Sequence, residues 1–175
     1  MQHPDQPHHS SDRSLGFEIL ARGLYTRSGR VLVCRSRTGG HCYLPGGHVE
    51  FGERPAAALA REIAEETGLL ATIGPPILVA EACFSDGERP HHEFSLVFHV
   101  EHLRTTDGDE IGDQDPPASL EDDIGFEWVR IADLAAQKFR PAIILDRLSP
   151  TGPQPVGPPI ELARGVDLAL RGAEH

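Results

Sequence analysis

The segment that most constrains this chain is residues 47–69, GHVEFGERPAAALAREIAEETGL, which predicts a helix over 55–67 with closely spaced acidic residues. Glu65 and Glu66 lie three and four residues after Glu62, and side chains at these offsets share one helix face. We therefore expect the three carboxylates to converge, at a cost of roughly 0.2 to 0.5 kcal/mol per pair unless a cation offsets it. Mg²⁺ prefers oxygen ligands and takes others from substrate phosphates. The segment predicts a phosphate-processing metal site.

The flanks of the segment support this helix. Pro55 suits the first helical turn, and Gly68 suits the left-handed position after the last turn. Ahead of the helix, Pro45, Gly46 and Gly47 form a loop whose missing side chains let the backbone approach a ligand. We expect Gly46 and Gly47 to contact substrate and the Gly47 carbonyl to bind the metal. The face expected to pack on a sheet has a period near 3.6 and consists of Ala56, Ala60, Ile63, Ala64 and Thr67.

The spacing of Gly47, Glu53 and the run REIAEETGL over 61–69 resembles the complete Nudix box. Several constrained positions at fixed spacing make this match more specific than a lone glycine-rich loop. The resemblance implies an α/β/α sandwich with a mixed β-sheet. It also implies a hydrolase that splits a diphosphate linkage, typically in a nucleoside diphosphate joined to another group, using a divalent metal and an activated water.

The resemblance also implies roles for the individual residues of the box. The metal, Mg²⁺ or Mn²⁺, would be bound by the carboxylates of Glu62, Glu65 and Glu66 and by the carbonyl of Gly47. Arg61 would be an orienting partner, since it lies four residues before Glu65 and can pair with it. Glu53 would orient the loop or hold an outer water. A solvated surface is the commoner fate of glutamates on an amphipathic helix, but the rest of the box argues against it here.

A catalytic acid or base outside the box is expected from the acidic loop before Trp128. Similar enzymes often place an extra carboxylate in the loop before this strand. The general base is then either Glu62 or a carboxylate within 121–123. We expect Glu121 or Asp122 to serve as the auxiliary catalytic residue, the alternative being charges that only solvate the loop.

Two further pairs of residues carry side chains that could act as ligands. Arg35 and Arg37 end a predicted strand, and either guanidinium could bind a substrate phosphate through two hydrogen bonds. A surface role is the alternative for both arginines. His91 and His92 are adjacent, and neighbouring side chains in an extended chain point in opposite directions, which makes them a poor metal-binding pair.

The composition narrows the classes of partner and location. With 39% hydrophobic and 25% charged residues, the 175-residue chain is typical of a soluble globular protein. Its formal net charge of −11 argues against duplex nucleic acid and favours a small diphosphate substrate recruited by a metal.

No apolar run is long enough to cross a membrane, and the start lacks the pattern of a signal peptide, so a cytoplasmic location is expected. Cys34, Cys42 and Cys83 lack C-x-x-C spacing and are expected to be reduced, structural thiols.

The pattern along the chain predicts a disordered tail over 1–14, a Nudix hydrolase domain over 15–148, and a Pro-rich strap with a C-terminal helix over 149–175. That final helix is predicted over 160–170, where an apolar face could dock on the domain or on a second subunit, so a homodimer is compatible with the sequence. Strands are predicted over 17–26 and 30–35 around a Ser28-Gly29 turn, up to Leu44, from Ile77, over 93–101 and over 125–131. Short helices are predicted over 132–137 and 141–148, and an acidic loop over 105–123.

Two other functions are compatible with this kind of fold. A non-catalytic nucleotide-binding sensor is disfavoured because the box is undamaged and no basic DNA-binding segment is present. An isoprenoid diphosphate isomerase related to the Nudix family would need a catalytic cysteine, and no motif supports one. The box defines the bond to be cleaved, whereas the loops and strands that select the substrate are outside it.

Overall fold

A computed structural model describes residues 16–85, 90–148 and 162–166, which form a mixed α/β architecture. The strands are β1 (Phe17–Leu24), β2 (Thr26–Arg27), β3 (Arg30–Ser36), β4 (Cys42–Tyr43), β5 (Leu70–Ser85), β6 (Pro90–Arg104), β7 (Ile124–Arg130) and β8 (Leu162–Val166). The α-helix of the described residues is α1 (Pro55–Thr67), and two short 3₁₀ helices span Ile131–Gln137 and Ala142–Arg147. The predicted α/β class with a mixed sheet is confirmed.

The strands form two sheets. One sheet has the order β1-β6-β5-β8 and is mixed, because β1 runs parallel to β6 and β8 parallel to β5, while β5 and β6 are antiparallel. In the other sheet β3 is antiparallel to β2, β4 and β7. The edge of β1 also contacts the loop before α1 through a bridge between Leu20 and His48. This contact places the box next to the mixed sheet.

Two apolar cores hold the sheets and helices together. One core contains Leu59 and Ile63 of α1, packed with residues of both sheets such as Val100. The other contains Leu134 and Ile144 from the two 3₁₀ helices, so the second helical layer of the described residues is made of 3₁₀ turns. Burying a side chain of this size stabilises the fold by about 1.5–3 kcal/mol. The site helix is therefore anchored to the sheets.

The buried face of α1 differs from the predicted one. Its buried residues are Ala58, Leu59, Ile63 and Glu66. Of the residues expected to pack, Ile63 alone is fully buried. Leu59, Ile63 and Glu66 follow one another at offsets of four and three, so the helix face that buries the large Leu59 also buries Glu66. The predicted packing face therefore omitted Leu59 and Glu66, which the structure buries.

Two predicted strand segments are adjusted in the structure. The predicted Ser28-Gly29 turn is present, with φ of 46° and 73°, and it joins β2 to β3. The strand expected over 17–26 is divided at Tyr25 into β1 and β2, which belong to different sheets. β5 does not begin at Ile77 but runs through the two prolines before it, because shifts of register between Thr72 and Leu78 accommodate them.

The C-terminal helix predicted over 160–170 is wrong for Leu162–Val166, which form β8. These residues pair in parallel with β5, whose edge offers backbone hydrogen-bonding groups, and Gly165 weakens a helix. The rest of that prediction, the tail over 1–14 and the strap lie outside the described residues. Among the described helices, none combines the length and apolar character needed to span a membrane.

Candidate active site

The glycine loop before α1 lies along the edge of β1. Ala21 donates its backbone N–H to the Gly47 carbonyl at 2.9 Å, and Gly23 donates to the Pro45 carbonyl at 2.8 Å. Gly46 has a φ of 119°, and a Cβ there would lie 2.2 Å from the Ala21 carbonyl oxygen. Since real Cβ atoms do not approach so closely, only glycine fits at this position.

Gly47 is in direct contact with the first glutamate of the helix. A Cβ added at Gly47 would lie 2.4 Å from the carboxylate carbon of Glu62 and 2.5 and 2.7 Å from its two oxygens. The loop backbone and this carboxylate thus occupy adjoining space. The Gly47 carbonyl already accepts one hydrogen bond and retains a second lone pair for a cation.

Arg61 connects the loop to the acidic side chains of α1. Its Nε and Nη2 donate to the two carboxylate oxygens of Glu53, at 3.1 and 3.0 Å. Its Nη1 donates to Glu62 and to Glu65, both at 3.0 Å, and Nη2 also donates to the His48 carbonyl at 3.1 Å. Hydrogen bonding to Arg61 lowers the pKa of Glu53. Arg61 therefore fixes the positions of three carboxylates at once.

Glu66 is the most deeply buried acid of the helix, with 6% of its surface exposed. Its Oε2 atom is buried without a hydrogen-bond partner in the described structure. Burial raises the pKa of Glu66 to about 8; Arg22 opposes this rise, whereas Glu121 and Glu62 add to it. A charged carboxylate buried in this position destabilises the fold unless a positive charge pairs with it.

The three helical carboxylates do not converge as expected. Among the described residues, the groups of acids, histidines and cysteines whose ligand atoms lie within 4.8 Å of one another do not include Glu62, Glu65 and Glu66. The reason is that Arg61 holds Glu62 and Glu65, while Glu66 turns into the protein. The unpartnered oxygen of Glu66, the glycine beside Glu62 and the all-oxygen donor set nevertheless suit a hard divalent cation.

A cavity of about 700 Å³ lies beside this cluster. Arg22 lies between the cavity and the acidic cluster. It lines the cavity, its charge opposes the rise in the pKa of Glu66, and it donates a hydrogen bond to the Gly46 carbonyl. The lining includes cationic and aromatic side chains from distant parts of the chain: Arg22, Lys138, Arg140, Tyr43, Phe84 and Phe139. Sequence reasoning missed Arg22, Tyr43, Lys138, Phe139 and Arg140, because no local motif links positions near 22, 43 and 140.

Comparison with known proteins identifies the family of the chain. The sequence signature of the NUDIX domain matches residues 19–148. The chain belongs to the NUDIX family. Its class of enzyme is therefore Nudix hydrolase.

Three solved structures illustrate the similarity of fold. The MutT NUDIX hydrolase from Burkholderia pseudomallei has a TM-score of 0.59 and 22% identity, covering 77% of this chain and 99% of that one. The MutT protein from Methanosarcina mazei Go1 has a TM-score of 0.55 and 22% identity, with 76% and 91% covered. The E. coli ORF135 protein has a TM-score of 0.51 and 22% identity, with 76% and 86% covered. At these identities the similarity concerns the fold.

The acidic loop of this Nudix hydrolase lies against the end of α1. The backbone N–H of Leu120 donates to the Glu66 carbonyl at 2.8 Å. Glu121 is exposed, and its charge is among those that raise the pKa of Glu66. The structure thus links Glu121, one of the two auxiliary candidates, to the charge of Glu66.

The two arginines expected to bind phosphate differ in their surroundings. Arg35 donates from Nε to Glu127 at 2.7 Å, from Nη1 to the Gly40 carbonyl at 2.8 Å and from Nη2 to Gln137 at 2.8 Å. Its guanidinium is thus engaged within the protein, and the structure offers no support for a phosphate contact. Arg37 is exposed and donates Nε to a backbone carbonyl of β7, so its role in substrate binding stays a prediction.

Replacing Arg61 with lysine is expected to lower kcat by about 10–100-fold, because one ammonium cannot hold the three carboxylates that the planar guanidinium holds. Steady-state kinetics at saturating Mg²⁺ measure this effect. Arg54→Lys is the matched control, since Arg54 is exposed and precedes the same helix, and it should retain the wild-type kcat. Wild-type turnover in Arg61→Lys would show that Arg61 does not position the acids.

Proposed function

We propose that this Nudix hydrolase uses Mg²⁺ or Mn²⁺ to cleave a diphosphate linkage in a nucleoside diphosphate derivative or a related small molecule. The observation that carries the proposal is Glu66, a buried carboxylate with one unpartnered oxygen, next to the Gly46-Gly47 loop. A divalent cation would offset its desolvation and the repulsion from neighbouring Glu62.

The adjoining cavity supports an anionic substrate with a flat group. The chain has a formal net charge of −11, yet Arg22, Lys138 and Arg140 bring three cationic side chains to this one cavity. Such a local positive field attracts phosphate groups despite the overall negative charge. Tyr43 and Phe84 add aromatic surface on which a base could stack.

The residues of the site have different roles in the proposed hydrolysis. Glu62, Glu65 and Glu66, with the Gly47 carbonyl, would hold the cation. A bound divalent cation would polarise the phosphoryl oxygens and lower the pKa of a coordinated water. Arg61 keeps Glu62 and Glu65 oriented through its hydrogen bonds.

The proton of the attacking water needs an acceptor. Glu62 or an acid of the 121–123 loop would take this proton, and within that loop the charge of Glu121 acts on Glu66. Kinetics of Glu121→Gln distinguish the two: if Glu121 is the base, its loss lowers kcat and leaves metal affinity unchanged, whereas loss of Glu62, a proposed ligand, weakens metal binding in either case.

Two of the three cysteines do not suit the isomerase alternative. Cys34 and Cys42 are buried, and desolvation raises the pKa of both thiols, that of Cys34 strongly. Thiols in such surroundings are structural rather than reactive. A turnover measurement distinguishes hydrolysis from the sensor alternative, which predicts nucleotide binding without turnover.

A metal-dependence assay tests the proposed function. Purified protein is incubated with nucleoside triphosphates, ADP-ribose, sugar nucleotides, dinucleoside polyphosphates and capped RNA, each with Mg²⁺, with Mn²⁺ or with EDTA. We expect at least one diphosphate compound to be cleaved with Mg²⁺ or Mn²⁺ and none with EDTA. Full activity in EDTA would reject the metal-dependent mechanism, and tight binding of a nucleotide without turnover would support the sensor instead.

A further inference from the structure

We propose that Glu81, Cys83 and His92 form a second metal site, distinct from the box, which binds zinc or a similar transition metal. The site lies on the β5–β6 pair near the end of the two strands. None of its three residues belongs to the box or to the acidic loop, and Cys83 also lines the cavity proposed for the substrate.

The register of the two strands brings the three side chains together. Cys83 pairs directly with His92 across the antiparallel ladder, and side chains at paired positions have Cβ atoms about 4.5–5.5 Å apart. Glu81 precedes Cys83 by two residues and so projects from the same face. The ligand atoms all lie within 4.8 Å of one another, and His92 Nε2 is 2.9 Å from Glu81 Oε1.

The donor set selects the kind of metal. A thiol, an imidazole and a carboxylate are the usual zinc ligands, whereas Mg²⁺ avoids sulfur. With metal–ligand distances of about 2.0–2.3 Å, ligand atoms of a tetrahedral site are roughly 3–4 Å apart. Cys83 can therefore reach a shared metal through small side-chain rotations. Binding would release the thiol proton to solvent and leave a fourth position for water.

The surroundings hold the imidazole and the carboxylate in place. The Glu81 side chain is only 8% exposed. The His92 ring lies 4.7 Å from that of Phe17 and 5.2 Å from that of Phe94, measured between centroids. Two aromatic neighbours restrict the ring plane, and the His92 side chain, at 34% exposure, remains accessible to an entering metal. A simple His92–Glu81 ion pair would explain two of the residues, but it gives no role to Cys83.

The neighbouring histidine provides a matched control. His91 projects from the opposite face, where its Nδ1 lies 2.8 Å from Glu18 and its ring stacks on Phe84 at 4.9 Å. The two adjacent histidines thus do not form a metal pair, as the extended chain predicted. The second group of candidate ligands, Glu18, His91 and Glu93, contains no thiol, and neither do the proposed ligands of the box. A signal that depends on sulfur therefore identifies the Cys83 site.

Cobalt spectroscopy of the full-length protein tests the proposal. Co²⁺ is added to reduced protein in excess Mg²⁺, which occupies oxygen-only sites. We expect a near-ultraviolet thiolate-to-cobalt charge-transfer band that Zn²⁺ abolishes by displacement. The band should vanish in Cys83→Ser and in His92→Asn, and it should persist in Cys42→Ser and His91→Asn.

Competition and stability measurements complete the test. Zn²⁺ affinity should fall by about 100-fold or more in Cys83→Ser. Zn²⁺ should also raise the unfolding temperature of the wild type but not of that variant. Circular dichroism without metal establishes that Cys83→Ser is folded. Absence of the band in wild type, or an undiminished band in folded Cys83→Ser, overturns the site. Glu66→Gln should keep the band, so loss of hydrolysis and loss of this site are separate results.

Discussion

Replacing Glu66 with glutamine is expected to lower kcat by about 100–1000-fold and, without metal, to stabilise the fold above neutral pH. The loss of turnover follows from removing one charged ligand, since metal stabilisation of the transition state is worth several kcal/mol and each 1.36 kcal/mol is tenfold in rate. The gain in stability follows from burial, because a neutral amide replaces a desolvated carboxylate with an unpartnered oxygen.

The sign of the stability effect depends on pH. The pKa of Glu66 is about 8 in the folded protein, above the ordinary value of 4.5. Between these values the folded state keeps the proton that the unfolded state has lost, so raising the pH reduces stability through this window. Above pH 8 the full penalty is on the order of 3–5 kcal/mol in the metal-free wild type. Glutamine does not titrate, so Glu66→Gln should lack this dependence.

Thermal unfolding of metal-free protein from pH 5 to pH 9 measures this difference. The wild type should lose stability relative to Glu66→Gln as the pH rises, and added Mg²⁺ should stabilise the wild type more than the variant. Glu101→Gln, an exposed change on β6, should follow the wild type in kinetics and in stability. Wild-type kcat in Glu66→Gln, or a lower metal-free unfolding temperature at pH 9, would contradict the role of Glu66.

Local signals in the sequence account for the helix and its loop. Pro55 and Gly68 define the helix ends, and the observed α1 spans the predicted residues. The spacing of Arg61 and Glu65 also anticipates their ion pair, which is present at 3.0 Å. These features were predictable because each depends on residues within one helical turn or on one glycine.

Features set by distant contacts were not predictable from the sequence. The burial of Glu66 depends on its sharing one helix face with Leu59 and Ile63, which belong to a core formed with the sheets. The cavity joins Arg22 to Arg140 across most of the chain. Strand β8 exists because β5 offers a free edge, while its own sequence resembles a helix. In each case tertiary packing outweighs the local preference.

Replacing Gly47 with alanine is expected to lower kcat by about 100-fold with little change in stability. The new Cβ would overlap the Glu62 carboxylate, at 2.4 Å from its carbon, and would displace it from the loop. Glu62 is the end of a flexible, partly exposed side chain, so it can move at small cost and give up a bond to Arg61 worth about 1 kcal/mol or less. The metal-binding arrangement is lost, whereas the fold is retained.

Gly52→Ala in the same loop is the matched control, and its expected effects are the reverse. Gly52 has a φ of 83°, where alanine costs about 1–2 kcal/mol, but a Cβ there meets nothing within 4 Å. Kinetics and thermal unfolding of both variants should therefore separate: Gly47→Ala loses turnover and keeps its unfolding temperature, and Gly52→Ala does the opposite. Equal activity losses in the two variants would mean that loop strain, and not the contact between Gly47 and Glu62, controls the reaction. The two effects are separable by geometry, because the Gly47 contact ends on a side chain of the proposed metal site, whereas the strain at Gly52 stays in the backbone.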